Sequence, residues 1–109
     1  MDRLLILKDA GVISENAYDI GSKYNKYLLN IFEESELYDM FITHLVMAIK
    51  REEENEKVES ISDEIFVQIK SSERYQTAKS ILNELNKIHK LQEKEERYIL
   101  LHLINLLDI

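Results

Sequence analysis

Three histidines are the side chains of this chain best suited to nucleophilic or ligand chemistry: His44, His89 and His102. Imidazole titrates near neutral pH, so one ring nitrogen can stand unprotonated and attack an electrophile or bind a metal. His44 lies in FITHLVMAIKR, residues 41–51, an apolar run of helical character that ends on an arginine. On a helix, Leu37, Phe41, Leu45 and Ala48 form one stripe, and His44 sits on its shoulder. Arg51 follows seven residues later, nearly two turns on and about 10 Å along the axis, on the same side. Its planar fork of donors suits phosphate oxygens, and helical side chains tilt back toward the N-terminus, which brings a long arginine toward the histidine. Spacing alone leaves three roles open for His44: a partly buried histidine bonded to an acceptor, a metal ligand, or a nucleophile toward phosphate.

His102 lies in YILLHLINLL, residues 98–107, where eight of ten residues are apolar, so this helix should be buried on most sides. Its polar exceptions, His102 and Asn105, fall with Glu95 and Tyr98 along one edge, at i, i+3, i+7 and i+10. Buried polar groups cost free energy unless paired, so this edge needs internal partners, a crevice or another protein. His89 stands in the mixed polar stretch NKIHKLQEKEE and reads as a surface residue that pairs with Glu93 at i+4.

Other chemistry finds no support. His89 and Glu93 have no evident third ligand, and the paired-histidine metal signature is absent. There is no nucleophile elbow, phosphate loop or dinucleotide fingerprint. With no cysteine, disulfides and thiolate zinc sites are excluded. The carboxylates read as solvated faces and helix N-terminal charges rather than an acid–base pair. The expectation is a protein that is not an enzyme, has no catalytic residue, and needs neither metal nor cofactor.

The elements that position the histidines are helices. The chain has no proline, two glycines and no Asn-Gly or Asp-Gly turn, which leaves little punctuation for a many-stranded fold, while Leu, Glu, Lys, Ile and Ala favour helix. A first helix is expected over 2–9, ended by Gly11. Ser14 then caps a second helix to about residue 32, with Ala17, Ile20, Tyr24, Tyr27, Leu28 and Ile31 at helical spacing. Gly21 lies inside it, explained either by a close helix crossing or by drift. A third helix runs from near Ser35 to near Arg51, followed by the acidic connection EEENEKVES. Ser62 caps a short helix through Lys70, although EIFVQI also suits a strand. Ser72 caps a long helix to about Lys90, and the last begins near Gln92. The expected fold is all-α, a compact bundle of five to six helices in one domain spanning 1–109.

Net charge is −7, and the 14 basic residues are scattered among acids. Nucleic acid and anionic membrane surfaces, which need clustered Lys and Arg, are not expected as partners. The start, MDRLLILKDAG, holds an apolar stretch too short for a signal peptide or span, so a cytoplasmic location is expected.

Taken together, three stretches resemble the PRD, the phosphotransferase-system regulation domain. MFITHLVMAIKR is similar to its first histidine block, EIFVQIK followed by RYQTAKSIL to its middle, and KEERYILLHLINLL to its second histidine block. Their order and separation fit across nearly the whole chain. Thr43 stands where antiterminator members commonly carry Asp before the first histidine, and their Asn-Pro is absent. No RNA-binding segment, helix-turn-helix or second PRD is evident, so the chain resembles the small stand-alone members.

The resemblance implies a helical bundle, often dimeric, phosphorylated on histidine by components of the sugar phosphotransferase system. It makes His44 and His102 the phospho-acceptor candidates and Arg51 the phosphate-stabilising arginine, with Tyr98 and Asn105 on the polar edge near the second histidine. His89 matches no family position. The expected function is a phosphotransferase-responsive, antiterminator-like regulator of transcription or sugar metabolism. It would act in trans on a partner as a homodimer and meet phosphocarrier or permease components. A constitutive helical docking module without phosphotransfer is the alternative; a small-molecule or metal-binding protein using the last helix's polar edge is a third.

Overall fold

The structure, a computed structural model, describes residues 2–108. Among them are six α-helices and no strand: α1 (Arg3–Asp9), α2 (Glu15–Leu28), α3 (Glu36–Glu53), α4 (Asp63–Lys70), α5 (Tyr75–Ile88) and α6 (Glu93–Leu107). The chain is all-α, as its composition implies, and EIFVQI is helical. It divides into two compact units, Met1–Glu56 and Lys57–Ile109.

In the first unit α1, α2 and α3 pack against one another. Asp2 caps α1, its carboxylate accepting from the Leu4 and Leu5 amides at 3.0 and 3.3 Å. Gly11, at φ 74°, ends the helix. The amide of Val12 reaches back to the Leu7 carbonyl (2.9 Å) and that of Gly11 to Lys8 (3.0 Å), which satisfies carbonyls the helix leaves open. Gly21 is buried at a close crossing: a methyl group there would run into Cγ1 of Val46 on α3 and touch the δ-methyls of Leu4 on α1 at 3.4 and 3.5 Å. The crossing, not drift, accounts for this glycine.

Two boundaries in this unit differ from expectation. Helix α2 stops at Leu28 rather than near 32, because the Asn30 and Ile31 amides turn back to Tyr27 and Leu28 (3.2 and 2.9 Å) and the Asn30 side chain donates to the Lys26 carbonyl (3.2 Å). Ile31 is consequently exposed and not part of the buried stripe. Helix α3 continues past Arg51 to Glu53 and ends on Asn55, whose φ of 55° is left-handed. The Glu56 amide bonds to the Arg51 carbonyl (2.9 Å) and that of Asn55 to Glu52 (3.2 Å). This is the closure seen after α1, with asparagine in glycine's place.

In the second unit α6 packs on both α4 and α5. Ser62 caps α4, accepting from Ile65 at 3.4 Å. Ser72 does not cap α5. Its hydroxyl accepts from the Arg74 amide (3.1 Å) and its carbonyl from Tyr75 (3.1 Å), so it forms a separate turn and the helix begins three residues later. The connection to α6 is held by Asn86, whose Oδ1 accepts from the Leu91 amide (3.0 Å) while its Nδ2 donates to Glu96 (2.8 Å). Lys90 also reaches Glu96, at 3.2 Å. Arg97 ties α6 to the start of α4, donating to the Ile61 carbonyl and to Asp63, both at 2.8 Å.

Candidate functional site

Helix α3 carries the first candidate site, and its two faces explain how. Ser35 fixes the start by accepting from the Tyr38 amide at 3.1 Å, and Asp39 and Glu36 sit at the positive end. Phe41, Ile42, Leu45, Val46, Ala48 and Ile49 are buried. That apolar majority anchors the helix and fixes the direction in which His44 projects. His44 itself is exposed. Its neighbour one turn earlier, Met40, is 53% exposed, and Met47, one turn later, is half-buried. The imidazole therefore stands at mid-helix on a surface strip with a methionine on either side. Sequence reading overlooked Met40, although its position at i−4 from His44 marks it as a neighbour.

Thr43 donates its hydroxyl to the Asp39 carbonyl one turn back, at 2.8 Å. Turned onto its own helix in this way, the hydroxyl is satisfied within α3 beside His44. Arg51 lies on the same helix and is half-buried.

The end of α3 is clamped to the start of α2. Ser14 accepts from the Ala17 amide at 3.0 Å and donates to the Glu53 carboxylate, whose other contact is Asn16 Nδ2 at 2.7 Å. A carboxylate at a helix N-terminus is favourably placed. The clamp joins residues 39 positions apart, a pairing with no sequence signature.

Deeper in the same unit, two phenols are buried. Tyr38 donates to Asn25 Oδ1 at 2.6 Å. Its hydroxyl is held well above a phenol's usual pKa, first by burial and then by the Glu34 and Asp39 carboxylates. Tyr24 is raised likewise, by burial and then by Glu52. Both rings stay neutral and act as packing residues.

The second candidate site is on α6. Ile99, Leu100, Leu103, Ile104 and Leu106 are buried. The polar edge grades from buried Glu95 to exposed Tyr98, half-buried His102 and exposed Asn105. The helix is thus covered on most sides, as its composition implies, and its polar edge reaches solvent at Tyr98, His102 and Asn105 but not at Glu95. His89 is the residue that ends α5, half-buried with its amide bonded to the Leu85 carbonyl at 3.1 Å. It is less exposed than the mixed stretch around it suggests, because it occupies the turn into α6. His44 and Arg51 belong to the first unit, and Tyr98, His102 and Asn105 to the second.

No group of three or more His, Asp and Glu side chains suited to a metal occurs among the described residues, and no described helix is long and apolar enough to cross a membrane. Neither the curated proteins nor the solved structures contain a match to the chain. The profile of the PRD domain family matches residues 17–106, a span that includes both histidine helices and reaches across both units. The chain belongs to the PRD domain family, a family of regulatory rather than catalytic domains that respond to the sugar phosphotransferase system.

Proposed function

We propose that the chain is a single PRD module that accepts phosphate on histidine and, as a homodimer, modulates a transcriptional or metabolic partner in trans. His44 and His102 are the acceptors and Arg51 the stabilising cation. The observation that carries this reading is the exposure of His44 at the middle of a helix otherwise buried on its far side. A donor protein can approach such a ring without unfolding anything.

The chemistry asks little of the acceptor. A phosphohistidine on a phosphocarrier or permease component presents the phosphoryl group. An unprotonated ring nitrogen of His44 forms the new P–N bond while the donor's P–N bond breaks and its electron pair returns to the donor imidazole. Charge stabilisation and alignment are the main requirements. Arg51 supplies a fork matched to the equatorial oxygens. The product carries close to two negative charges on a chain already at −7. Charge of that size biases a two-state assembly.

Incubation with phosphoenolpyruvate and the general phosphotransferase proteins, followed by intact mass measurement, tests this. An acid-labile phosphate that is lost in His44→Ala or His102→Ala is the expected result. Absence of phosphate on the wild type would leave the constitutive docking module as the function.

A further inference from the structure

Helices α3 and α6, each the third helix of its own unit, present their histidines from the same frame. Counted from the histidine, positions −3, −2, +1, +2 and +4 are buried in both helices. Position −1 is half-buried in both and position −4 exposed in both. A leucine follows the histidine in each, Leu45 and Leu103. Within that shared frame, two places beside the ring differ in character. Met40 stands four residues before His44 where Tyr98 precedes His102, and Met47 stands three after it where Asn105 follows. At 100° per residue both places lie on the same flank, within about 60° of the imidazole. That flank is apolar beside His44 and hydrogen-bonding beside His102.

We propose that these two places set which phosphodonor each histidine accepts. Met40 and Met47 seat a donor protein whose phosphohistidine is rimmed by apolar side chains, and Tyr98 and Asn105 disfavour that donor at His102. The inference rests on the phosphotransfer part of the proposed function and assigns its specificity to named side chains. Transfer itself decides what covers the flank. One phosphorus bridges the two imidazoles while the bond to His44 forms and the donor's P–N bond breaks, its electron pair returning to the donor ring. Side chains three and four residues from His44 have Cβ atoms about 5–6 Å from its own, so a donor close enough to react covers Met40 and Met47. Methionine is unbranched and polarisable, and it packs well against irregular apolar surface. Covered in the same way, Tyr98 and Asn105 would lose water from a phenol hydroxyl and an amide, which costs free energy unless the donor supplies hydrogen bonds.

The test is rapid mixing of the full chain with the general phosphotransferase proteins charged from phosphoenolpyruvate, read as phosphate on the His44 and His102 peptides. The same measurement with phosphoramidate is the control: it delivers a phosphoryl group with ammonia as the leaving group and brings no protein surface, so its rates report the imidazoles themselves. Circular dichroism confirms that each variant is folded. The wild type should take phosphate from the protein donor faster at His44 than at His102. The double variant Met40→Tyr with Met47→Asn should slow arrival at His44 about tenfold, and Tyr98→Met with Asn105→Met should speed arrival at His102. Neither should change the rates with phosphoramidate. Exchanges that leave the protein-donor rates alone, or that move the phosphoramidate rates equally, overturn the specificity assignment while leaving phosphotransfer standing. So does a wild type that is faster at His102. A wild type that takes phosphate from the protein donor at neither histidine overturns both.

Discussion

The hydroxyl of Ser14 lies 2.8 Å from each oxygen of the Glu53 carboxylate while accepting the Ala17 amide at 3.0 Å. One side chain therefore caps α2 and holds the last turn of α3, the helix that presents His44 and Arg51. Ser14→Ala removes both functions and should cost about 1 kcal/mol, the usual value of a lost N-cap. Glu53→Gln keeps the geometry but gives up the charge at the helix N-terminus, and should cost less, about 0.5 kcal/mol. Urea unfolding of the three proteins checks the order.

Gly21→Ala should destabilise the protein although alanine is the better helix former. Propensity favours the change by about 1 kcal/mol. Against it stands the collision with Val46 Cγ1, on a side chain itself buried in α3. Overpacking of this kind costs about 1–3 kcal/mol, so the net effect should be a lower thermal midpoint.

The buried phenols make stability fall at alkaline pH. Their folded pKa values are raised, so the folded state binds protons that the unfolded state releases above about pH 10. The contribution is fully present below that pH and is lost progressively above it. Absorbance titration near 295 nm should show that two of the six tyrosines do not ionise until the protein unfolds. Tyr38→Phe should flatten the fall in stability above pH 10, and at neutral pH cost about 1 kcal/mol for the lost bond to Asn25.

Asn86→Ala should be among the more damaging polar substitutions. It orphans the half-buried Leu91 amide and leaves Glu96 with Lys90 as its remaining partner, and an orphaned amide costs about 1–3 kcal/mol. Asn86→Asp should be at least as harmful, because it sets a second carboxylate against Glu96. Thermal unfolding compares the two, and added salt should rescue the aspartate variant more than the alanine.

The helices themselves were readable from caps and spacing. Ser14, Ser35 and Ser62 each precede an apolar periodic run, and each accepts the amide three residues on. Ser72 has the same local appearance but spends its oxygen on Arg74, a choice between two nearby amides that residue type does not encode. The end of α2 was obscured because Leu28, Leu29, Ile31 and Phe32 keep the apolar pattern running through a turn. At the site, spacing put His44 on the shoulder of the buried stripe and left its exposure open, since exposure depends on what packs against the helix from elsewhere. The Ser14–Glu53 and Asn86–Glu96 contacts were not readable, because each joins polar residues whose types also suit plain solvation.

The meeting of Gly21 with Val46 also makes a claim about inheritance. Where two backbones come this near, the volume at one position is set by the volume at the other. Among descendants of the same ancestor, a chain with alanine at the first position should have traded valine for something smaller at the second, and chains bulky at both should be missing.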